Sequence, residues 1–199
     1  MEKNFLDSIK DRRSYYALSK ETTISDDKLE EILETTLLHT PSAFNSQTTR
    51  IVLLLGEQHN RLWDITMEAL RKVVPADQFA NTEAKINSFK NTYGTVLFFE
   101  DMEIVHNLEN QFPLYAHNFK PWSLQTSAMH QLVVWTALEA EGLGASLQHY
   151  SELISDSVIN EWDLPASWKL DTQMPFGKPI AEPSEKEYQP IDTRLKVLK

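Results

Sequence analysis

Cysteine is absent from this chain of 199 residues. Disulfides, thiolate metal ligands and thiol nucleophiles go with it, so redox chemistry here has to use a borrowed group. The lack is compatible with a reducing cytoplasm, which is the expected location. Glycine is scarce, at five residues, and supplies neither a dinucleotide fingerprint nor a Walker loop. Gly142-Leu143-Gly144 closes a helical pattern, whereas a phosphate cradle must open one. Basic charge is in deficit, with 19 Lys and Arg against 29 Asp and Glu and a formal charge of −10. That balance repels nucleic-acid backbones and anionic membranes, so neither is an expected partner. No apolar run approaches the ~18 residues of a membrane span, and the polar, charged N-terminus does not read as an export signal. The six His are scattered. Glu103-x-x-His106 has the spacing of carboxylate-bridged di-metal sites but lacks a second copy, and no metal site is expected. Neither His-Glu-x-x-His nor Gly-x-Ser-x-Gly occurs, which leaves hydrolase readings without their nucleophile.

What is present is enough apolar material, 41% of residues, for one domain over 1–199 that buries roughly 70% of the surface of its unfolded chain. No repeat or linker divides it. Asn4 and Ser25 are natural N-caps, the second ahead of the stripe Leu29, Ile32, Leu33, Thr36 and Leu37. Ile51–Leu55 and Thr95–Phe99 read as covered strands, apolar on both faces. A long helix is expected from Pro121 at its first position to Gly142, with Met129, Leu132, Val133 and Thr136 on one face. Ala145–Gln148 reads as a short strand and Ser151 as the cap of a further helix. From Trp168 onward the chain alternates extended, Pro-punctuated and charged pieces. The stretch Pro175–Pro190 holds four prolines and is expected to add little core and to wrap a surface or a partner.

Between the second helix and the first strand lies the uncharged loop Pro41-Ser42-Ala43-Phe44-Asn45-Ser46-Gln47. Its amides and hydroxyls suit a flat heteroaromatic ring with a polar edge, since Asn45 and Gln47 each offer donor and acceptor from one planar group. Alone, such a loop also reads as a turn plus a helix cap. Arg12-Arg13-Ser14 follows the first helix, where the arginines serve equally as a C-terminal cap or as a phosphate fork. Trp122, Gln125 and Met129 are either core or a pocket wall.

Taken with Gln148-His149-Tyr150 and Arg194-Leu195-Lys196, these elements resemble the FMN-dependent nitroreductase family, and within it the fatty-acid-repression-mutant-like and copper-induced bacterial subgroup. The resemblance runs almost end to end. It implies an α+β fold with a mainly antiparallel sheet flanked by helices, a homodimer whose C-terminal segment extends onto the partner subunit, and FMN touching both subunits. It further implies reduction of nitroaromatic or quinone-type acceptors by NADH or NADPH in a two-step exchange, with a flavin-holding regulatory or stress-response role as the alternative. Arg12, Ser14, Arg194 and Lys196 match the FMN phosphate. Ser42, Asn45, Ser46 and Gln47 match the pyrimidine edge, and Gln148, His149 and Tyr150 match a strand end laid against the ring. Many members carry Lys or Arg where this chain has Tyr16. Arg13 or Lys90 is then the candidate cation for the reduced ring.

Overall fold

The computed structural model describes residues 3–199. Helix α1 (Phe5–Asp11) starts where the Asn4 side chain accepts from the Asp7 amide, and α2 (Asp26–His39) where Ser25 does the same for Lys28. Both caps fall where the sequence puts them, because a short acceptor side chain satisfies an orphan amide of a first turn.

Strand β1 (Thr49–Leu55) pairs antiparallel with β2 (Gly94–Asp101), β2 pairs with β4 (Trp168–Gly177), and the two-residue β3 (Gly144–Ala145) closes the far edge, in the order β1-β2-β4-β3. All residues of β2 are buried, which explains its unbroken apolar run. Its alternate side chains serve opposite faces. Leu97 and Phe99 join Trp63, Phe89 and Ile154 under α3 (Gly56–Arg71), α4 (Phe79–Lys90) and α7 (Ser151–Glu161). Val96 and Phe98 join Leu29, Val134, Leu138 and Phe176 under α2 and the 25-residue α6 (Ala116–Ala140). The chain is an α+β fold, an antiparallel sheet flanked by helices.

Three local expectations are corrected. Trp168–Gly177 is a sheet strand between β2 and β3, and its Phe176 is fully buried, so the Pro-rich stretch does contribute core. Pro175 is tolerated there because its carbonyl accepts from the Ser146 amide; its missing donor points to that same edge, where β3 has already ended. Helix α6 begins at Ala116 after a 3₁₀ turn over Pro113–Tyr115, which leaves Pro121 in its second turn and not at its start. Ser151 is the first residue of α7 and not its cap, and its hydroxyl donates to the Asp171 carbonyl at 2.6 Å. Between β2 and α6 lies α5 (Met102–Gln111), capped by Asp101.

Gly142 ends α6 at φ 78°, a backbone angle that favours glycine. Gly177 answers a different need: a Cβ there would lie 2.3 Å from the Ser19 carbonyl oxygen. That close approach fastens the segment after α1 to the sheet edge. Ser14 bridges Ala145, the Tyr15 amide donates to the Ala145 carbonyl at 3.0 Å, and Leu18 bridges Pro179.

Candidate active site

Fastened in this way, the basic element faces a cavity of about 460 Å³ lined by Arg12, Arg13, Ser14, Tyr16, Glu182 and Lys186, among others. Arg12 is the C-cap residue of α1, and its guanidinium lies over the Trp135 ring of α6 at 4.2 Å from the centroid. Burial and then the charge of Arg13 hold its pKa below the usual arginine value. Arg13 donates to the Ser184 carbonyl at 2.5 Å. Glu182 meets the Tyr15 hydroxyl at 3.5 Å. Among the described residues neither guanidinium has a carboxylate partner. Glu139 lies close enough to favour the charged form of Arg12, and Glu182 lines the same cavity, but with no carboxylate in ion-pair contact the two adjacent, partly buried guanidiniums remain suited to an oxygen-rich anion.

Beyond β3 the chain continues along the same sheet edge, outside the lining of that cavity. Gln148 exchanges backbone hydrogen bonds with Gln173 at 2.8 and 3.0 Å, and its amide side chain donates to Ser146 at 3.1 Å. The Tyr150 amide donates to Gln173 Oε1 at 2.8 Å, and the Tyr150 ring meets Trp63 edge-on. Burial and the neighbouring Tyr16 raise the Tyr150 pKa, so the N-terminal element and this strand end are neighbours. His149 is exposed. The structure thus gathers Arg12, Arg13, Ser14, Tyr16, Gln148, His149 and Tyr150 along one sheet edge.

The amide loop lies elsewhere. Its residues Phe44, Asn45 and Gln47 have φ of 59°, 50° and 48°, left-handed values that Asn tolerates but Phe and Gln adopt only under constraint. Two constraints are visible. Ser42 Oγ accepts from the Gln47 amide at 3.0 Å, and the Phe44 ring packs against Phe112, Phe119 and Trp122 with centroids 5.0, 5.4 and 5.9 Å away. Asn45 is exposed and Ser46 partly so. Trp122 and Trp135 are separated by roughly 20 Å along α6 at 1.5 Å per residue, so one chain holds the loop and the basic element at opposite ends of that helix.

Three further residues stand apart. Lys90 ends α4, and its ammonium meets Asp64 at 2.5 Å. Arg194 and Lys196 sit in an exposed tail whose residues 184–199 bury nothing. Lys186, absent from the sequence-based set, lines the cavity instead; nothing in its irregular, polar surroundings marks it out. Trp122 is half-buried in the aromatic cluster, whereas Gln125 and Met129 are exposed on the outer stripe of α6 with Leu124, Leu132 and Val133.

The sheet, its basic edge and the amide loop define a redox-enzyme scaffold. The chain belongs to the nitroreductase family, whose family model matches residues 9–178. Among curated relatives, HBN1 of Saccharomyces cerevisiae is 37% identical over 195 residues, 96% of either chain. The nitroreductase FRM2 of the same yeast is 35% identical over 188 residues, 93% of either chain. The solved nitroreductase CinD of Lactococcus lactis in complex with chloramphenicol is 42% identical with a TM-score of 0.90, covering 98% of this chain and all of that one. CinD has also been solved with 4-nitrophenol. A nitroreductase from Desulfovibrio desulfuricans in complex with FMN shares the fold at 18% identity and a TM-score of 0.72, covering the whole of this chain and 99% of that one. The protein is an oxidoreductase, and no helix among the described residues is long and apolar enough to cross a membrane.

Proposed function

We propose that the protein is an FMN-dependent oxidoreductase that takes electrons from NADH or NADPH and reduces nitroaromatic or quinone-type acceptors, acting as a homodimer in the cytoplasm. The observation that carries this reading is the adjacent Arg12–Arg13 pair, neither in ion-pair contact with a carboxylate, beside Ser14 and a cavity of about 460 Å³ in a chain of charge −10. A doubly charged phosphate fits that donor set: a planar guanidinium fork, a hydroxyl and the Lys186 ammonium. Bound FMN would supply the two-electron chemistry, by alternate hydride gain and loss.

The residues then have distinct tasks. Arg12, Ser14 and Lys186 hold the phosphate, and Arg194 and Lys196 bring further positive charge on the tail. Gln148, His149 and Tyr150 position the ring at the sheet edge with Tyr16 beside them. Arg13 is the cation available to reduced flavin, because Lys90 is occupied by Asp64. Ser42, Asn45, Ser46 and Gln47 grip the pyrimidine edge from the second copy, which removes the conflict with the length of α6. A two-fold axis that lays two copies of α6 antiparallel puts the amide end of one against the basic end of the other.

Apolar exposure supports that arrangement. Leu124, Met129, Leu132 and Val133 form an outer stripe on α6, and the tail adds Tyr188, Ile191, Leu195, Val197 and Leu198, all exposed. Side chains of this kind, grouped on the central helix and on an extended tail, need a cover. The CinD complexes with chloramphenicol and 4-nitrophenol support nitroaromatic acceptors here.

The test begins with the visible absorbance of the purified protein, followed by anaerobic NADH or NADPH. Bleaching by either donor and recovery on adding 4-nitrophenol or benzoquinone is the expected result. Flavin colour that persists with both donors points to a flavin-holding regulatory protein. A colourless protein that also rejects added FMN removes both readings.

A further inference from the structure

The amide loop adopts a backbone that its own residues disfavour. Phe44, Asn45 and Gln47 stand at φ 59°, 50° and 48°, in the left-handed region that Gly enters freely and Asn tolerates. Hydrogen bonds shape the turn and tie its far end. The Asn45 and Ser46 amides donate to the Ser42 and Ala43 carbonyls at 3.0 and 3.1 Å, and Arg50 donates to the Gln47 carbonyl at 2.8 Å while also reaching Asp101. Phe44 joins the turn to the body of the protein. Its ring lies among Phe112, Tyr115, Phe119 and Trp122, with centroids 5.0, 6.1, 5.4 and 5.9 Å away. Those four rings belong to the corner where α5 ends and α6 begins, so one side chain connects the loop to two helices. Phe44 is nevertheless 51% exposed, which is more than core packing would leave.

We propose that Phe44 is a positioning residue for the cofactor: its ring, seated among the four aromatics, holds Asn45 and Gln47 in the left-handed turn that presents their amides to the flavin edge. This role rests on the FMN reading above and places in it a residue that acts through its neighbours. A half-exposed Phe at a left-handed angle adds little to the core and strains the backbone, so a residue selected for stability alone at this position would be Gly or Asn. Ring pairs with four partners offset the strain. An amide edge already in place loses no conformational freedom when the ring arrives. A loop that populates the turn only part of the time binds more weakly in proportion to that fraction.

Replacements of Phe44 test it, because Gly and Ala both remove the ring but only Gly accepts the left-handed angle without strain. Fluorescence titration of the flavin-stripped full chain with FMN should give a Kd for Phe44→Ala about tenfold or more above wild type. Phe44→Gly should bind about fivefold tighter than Phe44→Ala, the scale of one left-handed residue. Phe44→Tyr, which keeps the ring, should match wild type. Trp122→Leu should weaken FMN binding in the wild-type background and add little to Phe44→Ala. In the same chain without FMN, hydrogen exchange of the Gln47 amide should quicken in Phe44→Ala while exchange in β2 stays slow, which separates a loosened loop from a failure to fold. Equal affinities of the Gly and Ala variants overturn the proposal, since the ring would then act by contact and not through the backbone. So does a Phe44→Ala variant with unchanged FMN affinity or unchanged exchange at Gln47. A wild-type chain that takes up no FMN removes the flavin reading instead, and the exchange at Gln47 then decides the anchor on its own.

Discussion

At its C-terminal end α6 sets Trp135 beneath the Arg12 guanidinium, whereas at its N-terminal end Phe119 and Trp122 close around Phe44 in a loop that carries no charge at all. The first end carries two guanidiniums without an ion-pair partner among the described residues. The second is satisfied in charge but constrained in backbone, with three left-handed residues among four. The contrast teaches what the proposed cofactor site would need from each end: one offers charge for a phosphate, the other amides for a ring, and a helix of roughly 37 Å keeps them apart within a chain.

Breaking the pairing of the two ends has the largest expected effect. Leu132→Glu on the outer stripe of α6 should convert a dimer to monomers in sedimentation and strip the flavin from both. Retention of FMN by a monomer would show that one chain suffices. Ionising the buried acid of β2 beneath the middle of that helix comes next. Glu100 titrates near 4.5 when unfolded and near 7 in the fold. Below pH 4.5 both states keep the proton; as pH rises through 7 the folded state loses about 3 kcal/mol relative to that acid limit. Urea unfolding from pH 5 to 8 should show this decline, and Glu100→Gln should flatten it.

Arg12→Ala sharpens the comparison at the basic end, with an expected loss of about 1.5 to 3 kcal/mol in FMN affinity. Asn45→Ala does so at the amide end, with a smaller loss of about 1 kcal/mol for a neutral hydrogen bond. Fluorescence titration with FMN measures both; unchanged affinity in the pair would refute the placement of the cofactor. Lys90→Met has the smallest effect. Its partly exposed pair with Asp64 is worth at most about 1 kcal/mol, and the flavin potential should not move. A shifted potential would return Lys90 to the site.

The sequence carried those parts of the fold that depend on near neighbours. Asn4 and Ser25 cap because capping is settled within three residues, and β1 and β2 stand out because both faces of each are covered. Strand β4 was hidden by its own composition: Lys169, Asp171, Gln173 and Pro175 break any apolar run, and only the flanking β2 and β3 make it a strand. Pro121 misled because its ring is compatible with a helix start, while the true start needs the turn over Pro113–Tyr115. The basic element and the amide loop were both legible as chemistry. Their separation was not, since it is the length of α6 that sets it. Lys186 and Glu100 owe their positions to tertiary packing: one lies on an irregular tail, and the other is one of two adjacent acids at the end of a strand.

The clasp at Gly177 also dictates an order of events. Residues 12–20 are held by Ala145, Gly177, Lys178 and Pro179, partners that lie more than a hundred positions downstream. During synthesis the arginines therefore emerge first but have nothing to dock on until almost the whole chain has left the ribosome. Under the proposed function, capture of the nucleotide would be a closing step of maturation, and polypeptides cut short before residue 177 would go to quality control without it.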